Sequence, residues 1–270
     1  MRTSPTNIGL WMLSAATARD FGYLTTDQVI DILTKSMTTV EGLERFEGHL
    51  LNWYDIQTLK PLQPRYVSTV DSGNLLGCLW SLEHALEALI ADPVMDGRVF
   101  EGQRDTVEEL KETTGRDLTA SLELAAGLED IGRAGQDRTV GMAGTLSLLR
   151  RLKHLTDATA EPSVDYPGLA PEVPSSYWAE QVRSQIIAWT RVQDRYLRWV
   201  EIILEKTEGE LSGLGAETAG VIASDLQRAP SMRDLASGDV VCIGMLSAKR
   251  DIPEVAAGPL AEWIDRVVQA

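Results

Sequence analysis

The chain has 270 residues, of which 44% are hydrophobic and 24% charged, and a formal net charge of −15 at pH 7. This balance is typical of a folded globular protein and excludes a disordered chain. The acidic charge argues against a protein that binds nucleic acid or an anionic membrane, because both need an excess of lysine and arginine, so a neutral partner fits better.

The first predicted elements are two helices that pack as an antiparallel pair. Apolar residues, Trp11 among them, recur on one face over residues 7–21, and a break follows at Gly22. A second helix is predicted from Thr25 to about Phe46. Thr25 and the glutamine three residues later have the spacing of a capping box.

A polar and aromatic segment, residues 52–77, then interrupts the helical pattern. It reads NWYDIQTLKPLQPRYVSTVDSGNLLG, and its two prolines exclude a regular helix. We expect Asp71 or Ser72 to cap a third helix that reaches about Ile90. The Asp92–Pro93 pair ends that helix.

The remainder is predicted to be helical apart from a proline-rich connector at residues 156–176. The expected helices span residues 100–112, 117–133, 140–155, 175–208 and 260–268. The fold class is therefore all-α. We divide the chain into helical hairpins at 1–155, the connector, and further helices at 177–270.

Two features of the second half have alternative interpretations. Trp189, Tyr196 and Trp199 form either a row that stacks on sugars or part of the core, and aromatic residues at helical spacing are more typical of a core. The glycine-rich stretch at residues 213–220 superficially matches a dinucleotide-binding loop. We disfavour that function because no buried strand precedes the glycines.

The stretches TSPTNIG and STVDSGNLLG both place hydrogen-bonding side chains at the start of an apolar helix. If the helix between them runs antiparallel to both, these two helices are parallel and their first turns lie at the same end of the fold. One end then becomes polar. This is the geometry of an α/α toroid, in which inner and outer helices alternate and the loops of one rim surround a pocket.

Such a rim suits a sugar. Asp and Asn exchange hydrogen bonds with hydroxyl groups, and Trp and Tyr offer flat apolar faces to a pyranose ring. The alternative is structural: Asp71, Ser72 and Asn7 cap helices, and Arg65 pairs with Asp55 to hold the loop. For the whole cluster we favour function, because a loop that needs only rigidity has little use for two aromatic residues beside two aspartates.

Five stretches carry a resemblance to a known family, namely RTSPTNIGL, ARDFGY, LERFEGHLLNWYD, TLKPLQPRYVSTVDSGNLLG and FEGQRDT. Over residues 2–106 the chain resembles the opening part of the glucoamylase-like region of cyclic β-1,2-glucan synthases, the NdvB-type bacterial proteins. The resemblance implies an α/α toroid that closes a glucan ring by transglycosylation, in a family that also carries a glycosyltransferase module. By resemblance, the residues that bind the glucan are Thr6, Asn7, Asn52, Trp53, Tyr54, Asp55, Arg65, Tyr66, Asp71, Ser72 and Asn74.

The chain departs from the family pattern at several points. Leu50 and Leu51 follow His49 where the family has Phe-Tyr, Cys78 stands where a histidine is common, and the later active-site stretches have no counterpart. The resemblance therefore implies a partial toroid without catalytic residues of its own, as a fragment of a longer synthase or one member of a split gene.

Three functions remain open. The chain is part of a synthase and supplies its glucan-binding rim, or it is a non-catalytic glycan-binding or scaffold protein. The third alternative is a free-standing hydrolase that uses Asp55 and Asp71 as its carboxyl pair. The expected partners are β-1,2-glucan or a related oligosaccharide, together with the remainder of the synthase or further copies of the chain, because an incomplete toroid leaves apolar helix faces uncovered.

We expect no metal and no cofactor. Cys78 and Cys242 lie in apolar surroundings without a second nearby thiol, which indicates two small buried residues in a reducing compartment. The start of the sequence lacks the apolar core of a signal peptide, and no apolar run approaches the roughly 20 residues that cross a bilayer. A soluble, cytoplasmic protein is predicted, although full-length members of the family are associated with the inner membrane.

Overall fold

The computed structural model describes residues 1–114, 141–158, 175–256, 258 and 260–270. They are mostly helical, which confirms the all-α class, and they form two compact units, Met1–Ala91 (unit 1) and Asp92–Ala270 (unit 2). The helix predicted at 117–133 and most of the 156–176 connector lie outside the described residues. The sequence-based division into toroid hairpins, connector and C-terminal helices stays a prediction.

Unit 1 contains three helices and four short strands. The helices are α1 (Pro5–Asp20), α2 (Thr26–Glu41) and α3 (Thr69–Ala91), and the strands are β1 (Arg2–Thr3), β2 (Arg45–Phe46), β3 (His49–Leu50) and β4 (Tyr54–Asp55). Strand β1 pairs antiparallel with β4, so that Arg2 lies opposite Asp55. Strands β2 and β3 form a hairpin whose turn contains Gly48 at a φ of 84°.

The capping box predicted at the start of α2 is confirmed, because Thr25 and Gln28 exchange side-chain-to-backbone hydrogen bonds. The predicted end of α2 at Phe46 is wrong. The helix stops at Glu41, since Arg45–Phe46 pairs with His49–Leu50 and is extended. A β-hairpin therefore precedes the polar loop, which comprises residues 51–68 between β3 and α3.

The predicted caps of α1 and α3 need correction. Ser4, and not Asn7, caps α1, because the Ser4 hydroxyl accepts from the Asn7 backbone N–H at 3.3 Å. Neither Asp71 nor Ser72 caps α3. That helix begins at Thr69, and the hydroxyl of the preceding serine, Ser68, accepts from the Asp71 backbone N–H at 3.1 Å. Asp71 thus lies in the first turn, where a carboxylate also interacts favourably with the helix dipole.

Helices α1 and α3 run side by side in parallel. Thr6 contacts Asp71 near both N-termini, and Gly9 packs against Cys78 further along, about one turn on in α1 and about two turns on in α3. A Cβ at Gly9 would lie 2.7 Å from the Cys78 Cβ, so only glycine allows this approach. With α2, the pair buries a core of Met12, Ala16, Val29, Leu33, Leu82 and Leu89. The expectation that both helices start at the same end of the fold is confirmed.

The described part of unit 2 is built from helices. They are α4 (Arg98–Thr114), α5 (Met142–Ala158), α6 (Ser175–Tyr196), α7 (Arg198–Leu204), α8 (Glu208–Ser212), α9 (Ala216–Asp225), α10 (Met232–Ser237), α11 (Val241–Arg250), α12 (Pro253–Ala256) and α13 (Ala261–Gln269). They share one core, which includes the fully buried Cys242. Across the described ranges, none of the helices combines the length and the apolar composition that crossing a membrane requires.

The single helix predicted over residues 175–208 is interrupted at Leu197. The Val200 backbone N–H donates to the Leu197 carbonyl, while the Tyr196 carbonyl accepts from the Trp199 indole at 3.1 Å instead of continuing the helical ladder. Trp189 and Trp199 are buried and Tyr196 packs against the same core. The interpretation of these aromatic residues as core is confirmed. In the 213–220 stretch, Gly213 ends α8 and Gly215 begins α9.

Candidate glucan-binding site

Asp71 is the centre of a hydrogen-bonded network that joins α1, α3 and the polar loop. Its Oδ1 accepts from the Thr6 hydroxyl at 2.7 Å, and its Oδ2 accepts from the Asn52 amide at 2.9 Å. The hydroxyl groups of Ser68 and Ser4 also donate to this carboxylate. These bonds, that from Thr6 first, lower the pKa of Asp71 below its ordinary value. Asp71 is therefore ionised at neutral pH.

Asn52 connects the two ends of the loop. Its amide oxygen accepts from the Trp53 indole and from the Tyr66 hydroxyl, the latter at 2.6 Å, and its backbone N–H donates to the Tyr66 carbonyl at 2.9 Å. The side chain is buried. Because both the oxygen and the nitrogen of the Asn52 amide bond within the protein and the side chain is buried, this residue positions its neighbours.

The network reaches solvent through Tyr66 and Asn74. Tyr66 is 47% exposed, and Asn74 is exposed on the first turns of α3, where its amide donates to the Thr6 hydroxyl at 3.1 Å. Trp53 is half-buried, and the Arg2 guanidinium carbon lies 3.9 Å from the centre of its ring. That contact covers one face of the indole. Tyr66 and Asn74 are thus the accessible hydrogen-bonding groups of the network.

Asp55 and Arg65 lie outside this network. Asp55 Oδ1 accepts from the backbone N–H groups of Thr58 and Gln57, at 2.8 and 3.0 Å, and from the Thr58 hydroxyl. These bonds, the Thr58 backbone bond first, lower the pKa of Asp55. The pairing of Arg65 with Asp55 considered above is wrong, because Arg65 forms its ion pair with Glu44. Asp55 fixes the turn that follows β4.

The remaining candidates also have defined places. Tyr54 is fully buried, and its hydroxyl donates to the Glu44 carbonyl and accepts from the Leu51 backbone N–H, both at 2.7 Å. Burial raises the pKa of Tyr54. Ser72 is half-buried in the first turn of α3, and Asn7 is exposed in the first turn of α1. Of the eleven predicted residues, the network brings together Thr6, Asn52, Trp53, Tyr66, Asp71 and Asn74.

Leu50 and Leu51, where the sequence departs from the family, form a small core with Leu43 and Tyr54 beneath the loop. All four side chains are buried. The two leucines therefore support the loop from below. The other departure, Cys78, is half-buried in the contact with α1 and faces Gly9.

A groove of about 300 Å³ lies on the other side of the first turn of α1, between α1, α2 and the turn after β4. Its lining includes Asn7, Trp11 and Lys35, and two residues of the small core under the loop, Leu43 and Tyr54, belong to its apolar part. The apolar spacing of α1 groups Trp11 on one face with Met12 and Ala15, and such a face is expected to be buried. That is wrong, since Trp11 is 56% exposed. Helical periodicity cannot separate a residue at the edge of an apolar stripe from one at its centre.

One comparison with known proteins supports the family resemblance. No protein-family model matches the chain. A 78-residue part is 49% identical to the cyclic beta-(1,2)-glucan synthase NdvB of Rhizobium meliloti (strain 1021). The resemblance to NdvB-type synthases is confirmed for that part. The match covers 29% of this chain and 3% of the relative, so the chain spans only a small piece of the NdvB length.

The chemistry of the network does not suit a general acid. Asp55 and Asp71 both have lowered pKa values, whereas a general acid in glycoside hydrolysis needs a raised one. Within the ranges that the structure describes, no three His, Cys, Asp or Glu side chains are grouped so that they could hold a metal ion. What the site offers is a rigid arrangement of hydroxyl, amide and aromatic groups.

Proposed function

We propose that unit 1 supplies the glucan-binding rim of a glycoside-hydrolase-like transglycosylation domain, as part of a cyclic β-1,2-glucan synthase-like enzyme. The identity to NdvB over 78 residues supports the class of enzyme and of ligand. The toroid is part of this proposal. It is supported by the parallel packing of α1 and α3, which places two helix starts and the polar loop at one end of unit 1.

The observation that carries the proposal is the Asp71 network. It ties the starts of two helices to both ends of the loop through contacts between residues far apart in sequence, such as Thr6 with Asp71 and Asn52 with Tyr66. A network whose members hold one another keeps its exposed groups in fixed positions, so that binding a sugar costs little ordering entropy. Tyr66 and Asn74 then face the glucan hydroxyl groups.

Catalysis is assigned to residues elsewhere in such an enzyme. Asp55 is committed to its turn and Asp71 to its network, and an ionised aspartate has no proton to give to a leaving oxygen at neutral pH. The same observation favours the second candidate function, a non-catalytic glycan-binding or scaffold protein. Incubating the purified chain with linear β-1,2-glucan separates these two functions from that of a free-standing hydrolase. We expect no shortened or cyclic product, and a product would support the hydrolase instead.

The exposed face of α3 is the part of unit 1 that we assign to further helices of the toroid. Val70 and Trp80 are 71% and 62% exposed, and nothing lies within 4 Å of a Cβ built at Gly77. Apolar faces of this kind are normally covered by a neighbouring element. We expect light scattering to give a molar mass above that of one chain, and small-angle X-ray scattering to give an envelope larger than one chain. A stable monomer would contradict this assignment.

The binding proposal is tested by calorimetric titration with linear β-1,2-gluco-oligosaccharides. Tyr66→Phe removes one hydroxyl, which donates to Asn52 and lies at the surface, so Kd should rise about fivefold. Asn74→Ala should have a similar effect. The matched control is Tyr177→Phe, because Tyr177 is 49% exposed on α6 in unit 2. Absence of binding by the unmodified chain, or equal Kd values for all variants, would overturn the proposal.

A further inference from the structure

Trp11 presents a fixed aromatic face at the edge of the groove. Its indole N–H donates to the Ser36 hydroxyl at 3.1 Å, although more than half of the side chain is exposed. An exposed tryptophan without such a bond would sample several rotamers, and ordering it would cost free energy when a ligand bound. The bond from α1 to α2 removes much of that cost.

The remaining lining of the groove favours a small neutral ligand. Lys35 is the charged residue of the lining, and its ammonium group already pairs with Asp31 at 2.6 Å. The Asn7 amide is exposed at the same edge. A volume of about 300 Å³ is at the lower end for small-ligand pockets, which are mostly apolar with a few polar groups. An apolar lining, an aromatic face and isolated amide and hydroxyl groups match one sugar ring.

The groove offers what the network lacks. In the network, Arg2 covers one face of Trp53, and the Trp53 indole N–H is used by Asn52. The two sites adjoin along the chain, because Thr6 belongs to the network and Asn7 to the groove. Likewise, Trp53 belongs to the network, whereas the next residue, Tyr54, lines the groove.

We propose that the groove beside Trp11 is a second subsite, which stacks one glucose residue of the glucan that the Asp71 network binds. This inference rests on the function proposed above. The apolar face of the pyranose packs on the indole, and its hydroxyl groups exchange hydrogen bonds with Asn7 and Thr39 at the edge of the groove. A single chain of several glucose units then contacts both sides of the first turn of α1.

The test is a titration of the full chain with a linear β-1,2-gluco-oligosaccharide long enough to occupy both sites. Trp11→Ala should raise Kd about five- to tenfold, because stacking on an aromatic face is lost. Trp11→Phe should recover part of that loss. Ser36→Ala should have a smaller effect, because it removes only the bond that fixes the indole. The matched control, Tyr177→Ala, removes an aromatic side chain that is 49% exposed on α6 of unit 2, and should leave Kd unchanged.

The outcomes separate this subsite from the function on which it rests. If Tyr66→Phe weakens binding but Trp11→Ala binds as tightly as the unmodified chain, the subsite is overturned and the proposed function stands. If the unmodified chain binds no glucan, both are overturned. Thermal unfolding of each variant shows whether the fold is retained, and equal weakening by Trp11→Ala and Tyr177→Ala would also contradict the subsite.

Discussion

Unit 1 and unit 2 use tryptophan in different ways. In unit 2, the buried indoles of Trp199 and Trp263 donate to main-chain carbonyls of Tyr196 and Ile202, the latter at 2.8 Å. In unit 1, the indoles of Trp53 and Trp11 donate to the side chains of Asn52 and Ser36. Neither of these two tryptophans is fully buried.

The difference teaches how an aromatic residue can be assigned to packing or to recognition. A buried indole N–H must find an acceptor, and a main-chain carbonyl in a core is enough to stabilise the fold. An indole held by a polar side chain at the surface keeps an accessible edge or face in a fixed place.

Replacing Trp199 should have the largest effect. Trp199→Ala leaves a cavity in the core of unit 2 and removes the donor to the Tyr196 carbonyl, and should cost about 3–5 kcal/mol of unfolding free energy. Hydrogen exchange should accelerate in α6 and α7 but stay unchanged in α1 and α3. If this variant binds glucan more weakly while unit 1 is still folded, the assignment of packing to the unit 2 tryptophans and of binding to unit 1 is contradicted.

The sequence predicts part of this division because periodicity and composition report on packing. The stripe that holds Trp189 and Trp199, the capping box of Thr25 and the parallel start of α1 and α3 all follow from local patterns. The interruption at Leu197 does not, since it depends on which atom the Tyr196 carbonyl accepts from after packing.

The sequence predicts the candidate site residues as one group, but not which of them share a network and which have other partners. Residue types in the loop indicate sugar chemistry, whereas the partner of each side chain depends on tertiary contacts. Arg65 therefore pairs with Glu44. Tyr54 is buried beneath the loop, where its hydroxyl accepts from the Leu51 backbone N–H. Trp11 was missed as a candidate site residue because its exposure depends on tertiary structure, namely on the positions of α2 and of the turn after β4.

Tyr54→Phe tests whether the loop depends on a buried hydroxyl. The variant keeps the ring in its core but leaves the Leu51 N–H and the Glu44 carbonyl without this partner, which should cost about 1–3 kcal/mol. Urea denaturation measures the loss of unfolding free energy, and hydrogen exchange of the loop amides shows whether the loop itself is loosened. Tyr177→Phe, at an exposed position of α6, should be within about 0.5 kcal/mol of the unmodified chain. Equal effects of the two variants would contradict the assigned role.

Gly9→Ala tests the close packing of α1 on α3. Its Cβ would lie 2.7 Å from that of Cys78, so we expect overpacking to cost about 1–3 kcal/mol despite the better helix propensity of alanine. Gly77→Ala is the matched control, because nothing surrounds its added Cβ, and it should stabilise α3 by about 0.5–1 kcal/mol. The urea midpoint should fall for Gly9→Ala and rise for Gly77→Ala. If it rises for both variants, α1 and α3 are further apart than the structure shows.

The pH dependence of unit 1 should reflect the Asp71 network. Because folding lowers the pKa of Asp71, its ionised form stabilises unit 1 above the unfolded pKa of about 3.9, and this stabilisation is lost as the pH falls through the folded pKa. Asp71→Asn should be less stable than the unmodified chain at pH 6. The gap should narrow by pH 3 in urea unfolding, and a gap independent of pH would exclude the network as its source.

Indole resonances in a ¹⁵N–¹H spectrum, recorded during titration with linear β-1,2-gluco-oligosaccharide, report on network, groove and core in one experiment. The indoles of Trp53 and Trp11 should shift with the same Kd, while those of Trp199 and Trp263 stay in place. Shifts confined to the unit 2 indoles, or the absence of any shift at saturating glucan, would contradict the assignment of glucan binding to the polar loop of unit 1.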